Sequence, residues 1–251
     1  MALIKENWIF LAFISLMGAI GGYATIEYSL EFVPPEAIQT AVDQVGSIEI
    51  VKIIATLQVL VYSLIFGTVG VVLSDRIGLW RKIKIETDKL LCPALVGLIG
   101  GVIMILSDPL IFGRLRPEIM DSYTTKPSLA YFIASFTYGA VFEEVLMRLF
   151  LMSLGAFILY RAFHNKEKSC PTKAIIAANI TAGILFAIGH LPATIQTFGS
   201  LDTVLIIRSL LLNGTFGIVF GRLYRKYGIQ YAMLAHFGAH FFSKLIWMLF
   251  I

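Results

Sequence analysis

This sequence predicts an all-α, polytopic membrane bundle of about seven transmembrane helices, and three observations carry the prediction. Hydrophobic residues make up 58% of the 251 residues and charged residues only 14%, a balance foreign to soluble globular domains. Seven apolar runs reach spanning length, at 8–24, 51–73, 94–110, 129–160, 172–191, 204–223 and 230–250. The connections between them alternate in charge, as they do where Lys and Arg collect on the cytoplasmic side.

Taken in order, Lys5 precedes the first run, which reads as a retained anchor, with a cleaved signal peptide as the alternative. The first connection holds Glu27, Glu31, Glu36, Asp43 and Glu49 but neither Lys nor Arg. Within it Pro34-Pro35 followed by Ala37, Ala41 and Val45 predicts a short surface helix. Arg76, Arg81, Lys82, Lys84 and Lys89 mark the second connection as cytoplasmic, Arg161, Lys166, Lys168 and Lys173 the fourth, and Arg222, Arg225 and Lys226 the sixth. The fifth, 192–202, has no basic residue, and the third is mixed, with Arg114, Arg116 and Lys126 against Asp108, Glu118 and Asp121. The N-terminus is therefore expected in the cytoplasm and the C-terminus outside. Gly97 with Gly101, and Gly217 with Gly221, have the spacing of closely packed helices in lipid. With no repeat, linker or sizeable extramembrane stretch, one membrane-embedded domain is expected to cover 1–251.

The net charge of +4 is accounted for by loops facing anionic lipid, so the expected surroundings are a bilayer and no nucleic acid. Cys92 and Cys170 each precede a proline at a cytoplasmic boundary, where thiols stay reduced, and form no metal motif. His164, in the basic fourth connection, reads as a solvated side chain.

The fourth run contains Glu143, Glu144 and Arg148, although an ionised side chain at membrane depth costs about 2.5–3.5 kcal/mol on a lenient scale. Glu144 and Arg148 lie one helical turn apart, acid first, and should pair. Glu143 points about 100° away and has Leu146 and Met147 where a basic partner would stand. It is the free carboxylate, able to act as a general base if water reaches it. A buried ionic staple between helices is the competing reading. Histidine placement bears on the choice, because three of the four histidines fall inside spans. His190 ends the fifth run, and His236 and His240 share one face of the seventh.

Three segments resemble a known family. Glu143-Glu144-Val145-Leu146-Met147-Arg148 fits EExxxR, Phe186 to His190 fits FxxxH, and His236 opens HxxxN or HxxxD. These are the motifs of the CAAX prenyl protease and bacteriocin-processing family, intramembrane glutamate-type peptidases whose eukaryotic members trim prenylated C-termini. The resemblance covers 129–250, the expected peptidase core. It implies that Glu143 activates water with His190, that His236 and the residue four positions on stabilise the oxyanion, and that Glu144 and Arg148 orient the site. No cofactor is implied, and the substrate would be a peptide or membrane-anchored protein. The departure is His240, where the family has Asn or Asp; a neutral imidazole can donate one hydrogen bond to an oxyanion much as an amide does.

Two alternatives stay open on the residues. His236 and His240 have the i, i+4 spacing of two zinc ligands, and His190 with Glu143 could complete a zinc site, though no HExxH is present. A non-catalytic scaffold, immunity or transport protein could use the same polar residues as a structural network or proton relay.

Overall fold

The computed structural model describes residues 2–163 and 167–250, so His164 and Lys166 lie outside the described residues. Among the described residues every regular element is helical. Six helices are long and apolar enough to cross a membrane: Trp8–Ser29, Ile48–Arg76, Thr87–Leu115, Thr172–Phe198, Thr203–Tyr227 and Ile229–Phe250. A seventh helical path, 129–163, is as long but carries Glu143, Glu144 and Arg148 at its middle. The all-α polytopic bundle of about seven helices is thus observed, with span ends a few residues beyond the apolar runs.

In chain order the elements are α1 (Trp8–Ser29), the surface helix α2 (Pro35–Val45), α3 (Ile48–Arg76), α4 (Leu91–Ser107), α5 (129–163), α6 (Thr172–Gly189), α7 (Leu191–Phe198), α8 (Thr203–Tyr227) and α9 (Ile229–Phe250). α2 stands where the prolines predicted it, with Pro35 at its first turn, where a missing N–H costs nothing, and no buried side chain. Three helices starting at one end of the bundle are capped by side-chain oxygens. Ser47 accepts the N–H of Ile50, Ser128 that of Tyr131 and Asp202 that of Leu205. The turn between α8 and α9 is closed by Gly228 at φ 117°, a conformation that suits a residue without a side chain.

α5 is the central element. Val145, Leu149, Met152 and Ala156 belong to one buried cluster with Leu11 and Ile14 of α1, Val71 of α3, Ala178 and Ala182 of α6, Phe220 of α8, and Ala235 and Ala239 of α9. α5 is wound in π register over Ser135–Glu143 and again over Val145–Met152, and shorter π segments occur at Leu210–Gly214 of α8 and at Asp108–Phe112 after α4. Such wide turns are rare and concentrate at functional sites. Small residues set the approach of the pairs around it. A side-chain carbon at Gly97 of α4 would lie 2.9 Å from the Ala235 carbonyl oxygen of α9, and one at Gly70 of α3 2.7 Å from Leu149. The outward faces are apolar, with Trp8, Ile9, Leu57, Ile99 and Leu211 exposed, as lipid-facing surfaces are.

The connections fall on two ends. Arg116 binds Asp202 and Ser200, which puts the third and fifth connections together. The Gln230 amide donates to the Lys84 carbonyl and the Glu86 N–H to the Tyr231 hydroxyl, which puts the second and sixth together at the other end. The latter is the end rich in Lys and Arg.

Candidate active site

Two adjacent glutamates on α5 occupy different environments. Glu144 is fully buried, and its Oε1 accepts the Nδ1–H of His236 at 2.8 Å and lies 2.9 Å from Nη1 of Arg148. Arg148 is equally buried, with its guanidinium over the rings of Phe186 at 4.5 Å and Phe220 at 5.6 Å. The predicted Glu144–Arg148 pair is therefore present, in ion-pair contact. Both Arg148 terminal nitrogens and Glu144 Oε2 lack a well-directed hydrogen bond. The pair depends on its charge for compensation.

Glu143 turns the other way. Its Oε1 lies 4.0 Å from Nε2 of His190, and both side chains are partly exposed, at 18% and 31%. That separation is too long for a direct hydrogen bond. His190 is delivered by the end of α6: helix hydrogen bonding stops at Gly189, His190 forms the turn, and Leu191-Pro192 start α7. Nδ1 of His190 lies 2.8 Å from the Phe186 carbonyl oxygen. A carbonyl only accepts, so the proton sits on Nδ1 and Nε2 presents a lone pair toward Glu143.

α9 supplies the other two histidines. The His236 ring stacks on Phe220 on one side and on His240 on the other, with centroids 4.8 Å apart in both cases. Nε2 of His240 approaches α5 at Gly139, where a side-chain carbon would stand 2.9 Å from it and 3.9 Å from Glu143 Oε2. Only a glycine at 139 leaves that approach open. Lys244, one turn beyond His240, places Nζ 3.4 Å from His240 Nδ1 and 4.1 Å from the centre of the Tyr131 ring. His240 also lines a cavity of ≈ 100 Å³ that Lys244, Tyr131 and Arg208 share.

All six residues singled out in the sequence, Glu143, Glu144, Arg148, His190, His236 and His240, are thus one contiguous set. The zinc alternative needs three donors on one point. Among the described residues no group of three His, Cys, Asp or Glu is so arranged. His236 and His240 instead stack face to face, and His236 gives Nδ1 to Glu144.

Lys244, Gly139 and the Asp108–Arg208 pair were not anticipated. Arg208 of α8 binds Asp108 through Nε and Nη2, both at 2.7 Å, and Tyr123 adds a hydroxyl at 2.6 Å. The signal for Lys244 was available: it extends the His236, His240 row by one more turn within an apolar span. At the same end of the bundle, outside the spans, the Leu205 N–H and then Arg116 hold the Asp202 carboxyl below the usual carboxylate range.

Residues 125–242 match the family model described as type II CAAX prenyl endopeptidase, Rce1-like. No curated protein and no solved structure matches the chain. The matched segment holds all six site residues and stops two short of Lys244. Over residues 125–242, a little under half of the chain, the protein is similar to this family of CAAX-type endopeptidases, and its multi-pass helical bundle agrees with a membrane protein.

Proposed function

We propose that this protein is an intramembrane endopeptidase that cleaves a membrane-proximal peptide bond of a membrane-anchored peptide or protein, with Glu143 as general base. The observation that carries the reading is the Glu143–His190 pair, two partly exposed groups 4.0 Å apart, beside a Glu144–Arg148 pair sealed from solvent. Two hydrogen-bond acceptors facing each other, a carboxylate and the Nε2 lone pair, suit a molecule with two donors. Water is that molecule.

In the proposed reaction, water attacks the scissile carbonyl carbon and gives a proton to Glu143. A C–O bond forms and the carbonyl oxygen becomes an oxyanion. Collapse breaks the C–N bond, and Glu143 passes the proton to the leaving nitrogen, so one water is consumed and a carboxyl and an amino group are produced. The Lys244 ammonium donates to Nδ1 of His240, which leaves the His240 proton on Nε2, facing the Glu143 side. His240 is then the oxyanion donor, in the place of the family's amide or acid. His236, whose Nδ1–H is held by Glu144, braces His240 by ring stacking and acts as a positioning residue. A groove of ≈ 460 Å³ between α1, α3 and α5, walled by Val59, Tyr138, Phe142 and Leu146, suits an apolar part of the substrate beside Glu143.

The remaining assignments follow from the same residues. The main buried cluster, built from α1, α3, α5, α6, α8 and α9, supports one domain over 1–251 with its peptidase core in 129–250. The basic second and sixth connections support a cytoplasmic N-terminus. The test is incubation of the purified protein and its Glu143→Gln variant with a library of membrane-anchored peptides. Product from the wild type and none from a folded variant is expected; equal product from both would remove Glu143 from the role.

A further inference from the structure

The two ends of the bundle differ in how far water can reach toward the site. α5 runs from Ser128, at the end that holds the third and fifth connections, to Arg161 at the basic end. On the basic side of Glu143 the core is closed. Glu144, Leu149, Met152, Ser153 and Ala156 have no exposed surface, and Tyr224 of α8, equally buried, places its hydroxyl 3.0 Å from that of Ser153. On the other side the packing loosens. His190 follows α6, whose 18 residues at about 1.5 Å each carry it roughly 27 Å from Thr172. The apolar core of a bilayer is about 30 Å thick, so His190 stands close to the face opposite the basic loops. α7, which follows it, has no buried side chain. The cavity beside His240 is lined by Lys244 and Trp247, one and two turns further along α9, and by Tyr123 of the third connection, so it leads from His240 toward that same face. The groove beside Glu143 lies in the same half, between Ile26 near the end of α1 and Ala55 near the start of α3.

We infer that the active site opens at the end of the bundle opposite the basic loops, and that its substrate is an exported, membrane-anchored polypeptide whose scissile bond lies in the outer half of the bilayer. This rests on the peptidase reading and on the cytoplasmic placement of the second and sixth connections, and adds to them the compartment from which substrate and water arrive. Lys and Arg collect on the cytoplasmic side, and the second and sixth connections, with Arg81, Lys82, Lys84, Arg225 and Lys226, meet at the closed end. The first connection, with Glu31, Glu36 and Asp43 and neither Lys nor Arg, joins the open end, where Tyr28 of α1 stacks on Tyr131 of α5. A peptide backbone cannot leave its N–H and C=O groups unsatisfied in lipid, so the scissile bond and the attacking water need a polar route to Glu143 and His190. That route exists from outside. A bond in the cytoplasmic half would lie behind Arg148 and Met152, with a closed core between it and Glu143.

The test is the sidedness of labelling in sealed vesicles, with Cys92 and Cys170 changed to Ser. Ser243→Cys places a thiol in the cavity beside Lys244, and Met104→Cys is a second cavity position should the first variant fail to fold. Ser200→Cys and Lys82→Cys mark the two ends. The probe is a methanethiosulfonate bearing a sulfonate, an anion that does not cross the bilayer, applied to right-side-out and to inside-out vesicles. The cavity thiol is expected to react from the side of position 200 alone, and that side is expected to be the outside of right-side-out vesicles. Reaction from the side of position 82, from both sides, or from neither overturns the opening. Position 200 reacting from the inside, with the cavity thiol following it, overturns the exported substrate. Hydrolysis is read separately, with membrane-anchored peptides added to either side: product is expected outside alone, and product released inside overturns the proposal. Labelling as expected, with no hydrolysis from either side by the Glu143 protein, would uphold the opening and remove the peptidase reading instead.

Discussion

Replacing Arg148 by Met should destabilise the fold far more than any loss of volume explains. Met retains most of the apolar stem, so packing against Phe186 and Phe220 is largely kept. What disappears is the one Lys or Arg paired with Glu144 among the described residues, and Glu144 is a carboxylate with no exposed surface and one oxygen already without a directed hydrogen bond. Removing one partner of a buried pair costs about 3–5 kcal/mol, because the other charge is left behind; the lost cation–π contacts add about 0.5–2 kcal/mol. His236 cannot make up the difference, since its single Nδ1 bond to Glu144 is already formed. The double variant Arg148→Met/Glu144→Gln removes both charges and should recover at least about 1 kcal/mol relative to the sum of the singles. Denaturant titration in mixed micelles, with the four proteins of the cycle side by side, measures this. Arg116→Met is the control, because the Asp202 side chain it binds is 46% exposed and such pairs are worth about 0–1 kcal/mol. If Arg148→Met unfolds within 1 kcal/mol of the wild type, or if the two single losses simply add, the charge-compensation account is wrong.

Three further outcomes are expected. Glu143→Gln should lower the hydrolysis rate by about 10²–10⁴ with an unchanged unfolding midpoint; a shifted midpoint would mark Glu143 as structural. His240→Ala should cost about 10²–10³ in kcat while His240→Asn restores most of it, and Gly139→Ala should mimic the loss, because its new carbon would stand 2.9 Å from His240 Nε2; full activity in Gly139→Ala would show that His240 does not approach there. In protein with Cys92 and Cys170 changed to Ser, a cysteine at Ser200 should react with an impermeant reagent outside right-side-out vesicles and one at Lys82 should not; the reverse pattern inverts the orientation and the compartment the site serves.

Much of this was legible in the sequence because membrane physics leaves few options. Apolar length gave the helices, and Glu144 and Arg148 could be paired from spacing alone. His190 could be placed at a helix end from the Pro192 that follows it. What could not be read was which histidine meets which carboxylate. That His236 turns to Glu144 while His240 approaches Glu143 depends on the crossing of α9 over α5, and on Gly139, which has no signal until the crossing is known. The π register of α5 was invisible for a different reason: no residue pattern in the sequence separates a π turn from an α turn. Lys244 was missed because it lies in an apolar run whose histidines drew the reading.

The winding of α5 has a consequence for how this protein tolerates insertion and deletion. A π turn closes with one residue more than an α turn, so the stretch from Ser135 to Met152 holds surplus chain that a deletion could absorb by tightening into α register. The helix would survive, and so would its length across the bilayer to within one residue's rise. Where the π turns are kept instead, everything beyond the deletion turns by one residue's rotation, roughly 100°: Arg148 would swing away from Phe186, and Glu143 from His190. In this segment the spacing of residues matters as much as their identity, and sequences that keep Glu143, Glu144 and Arg148 but lose one position between Ser135 and Glu143 should fold as membrane proteins and fail as enzymes.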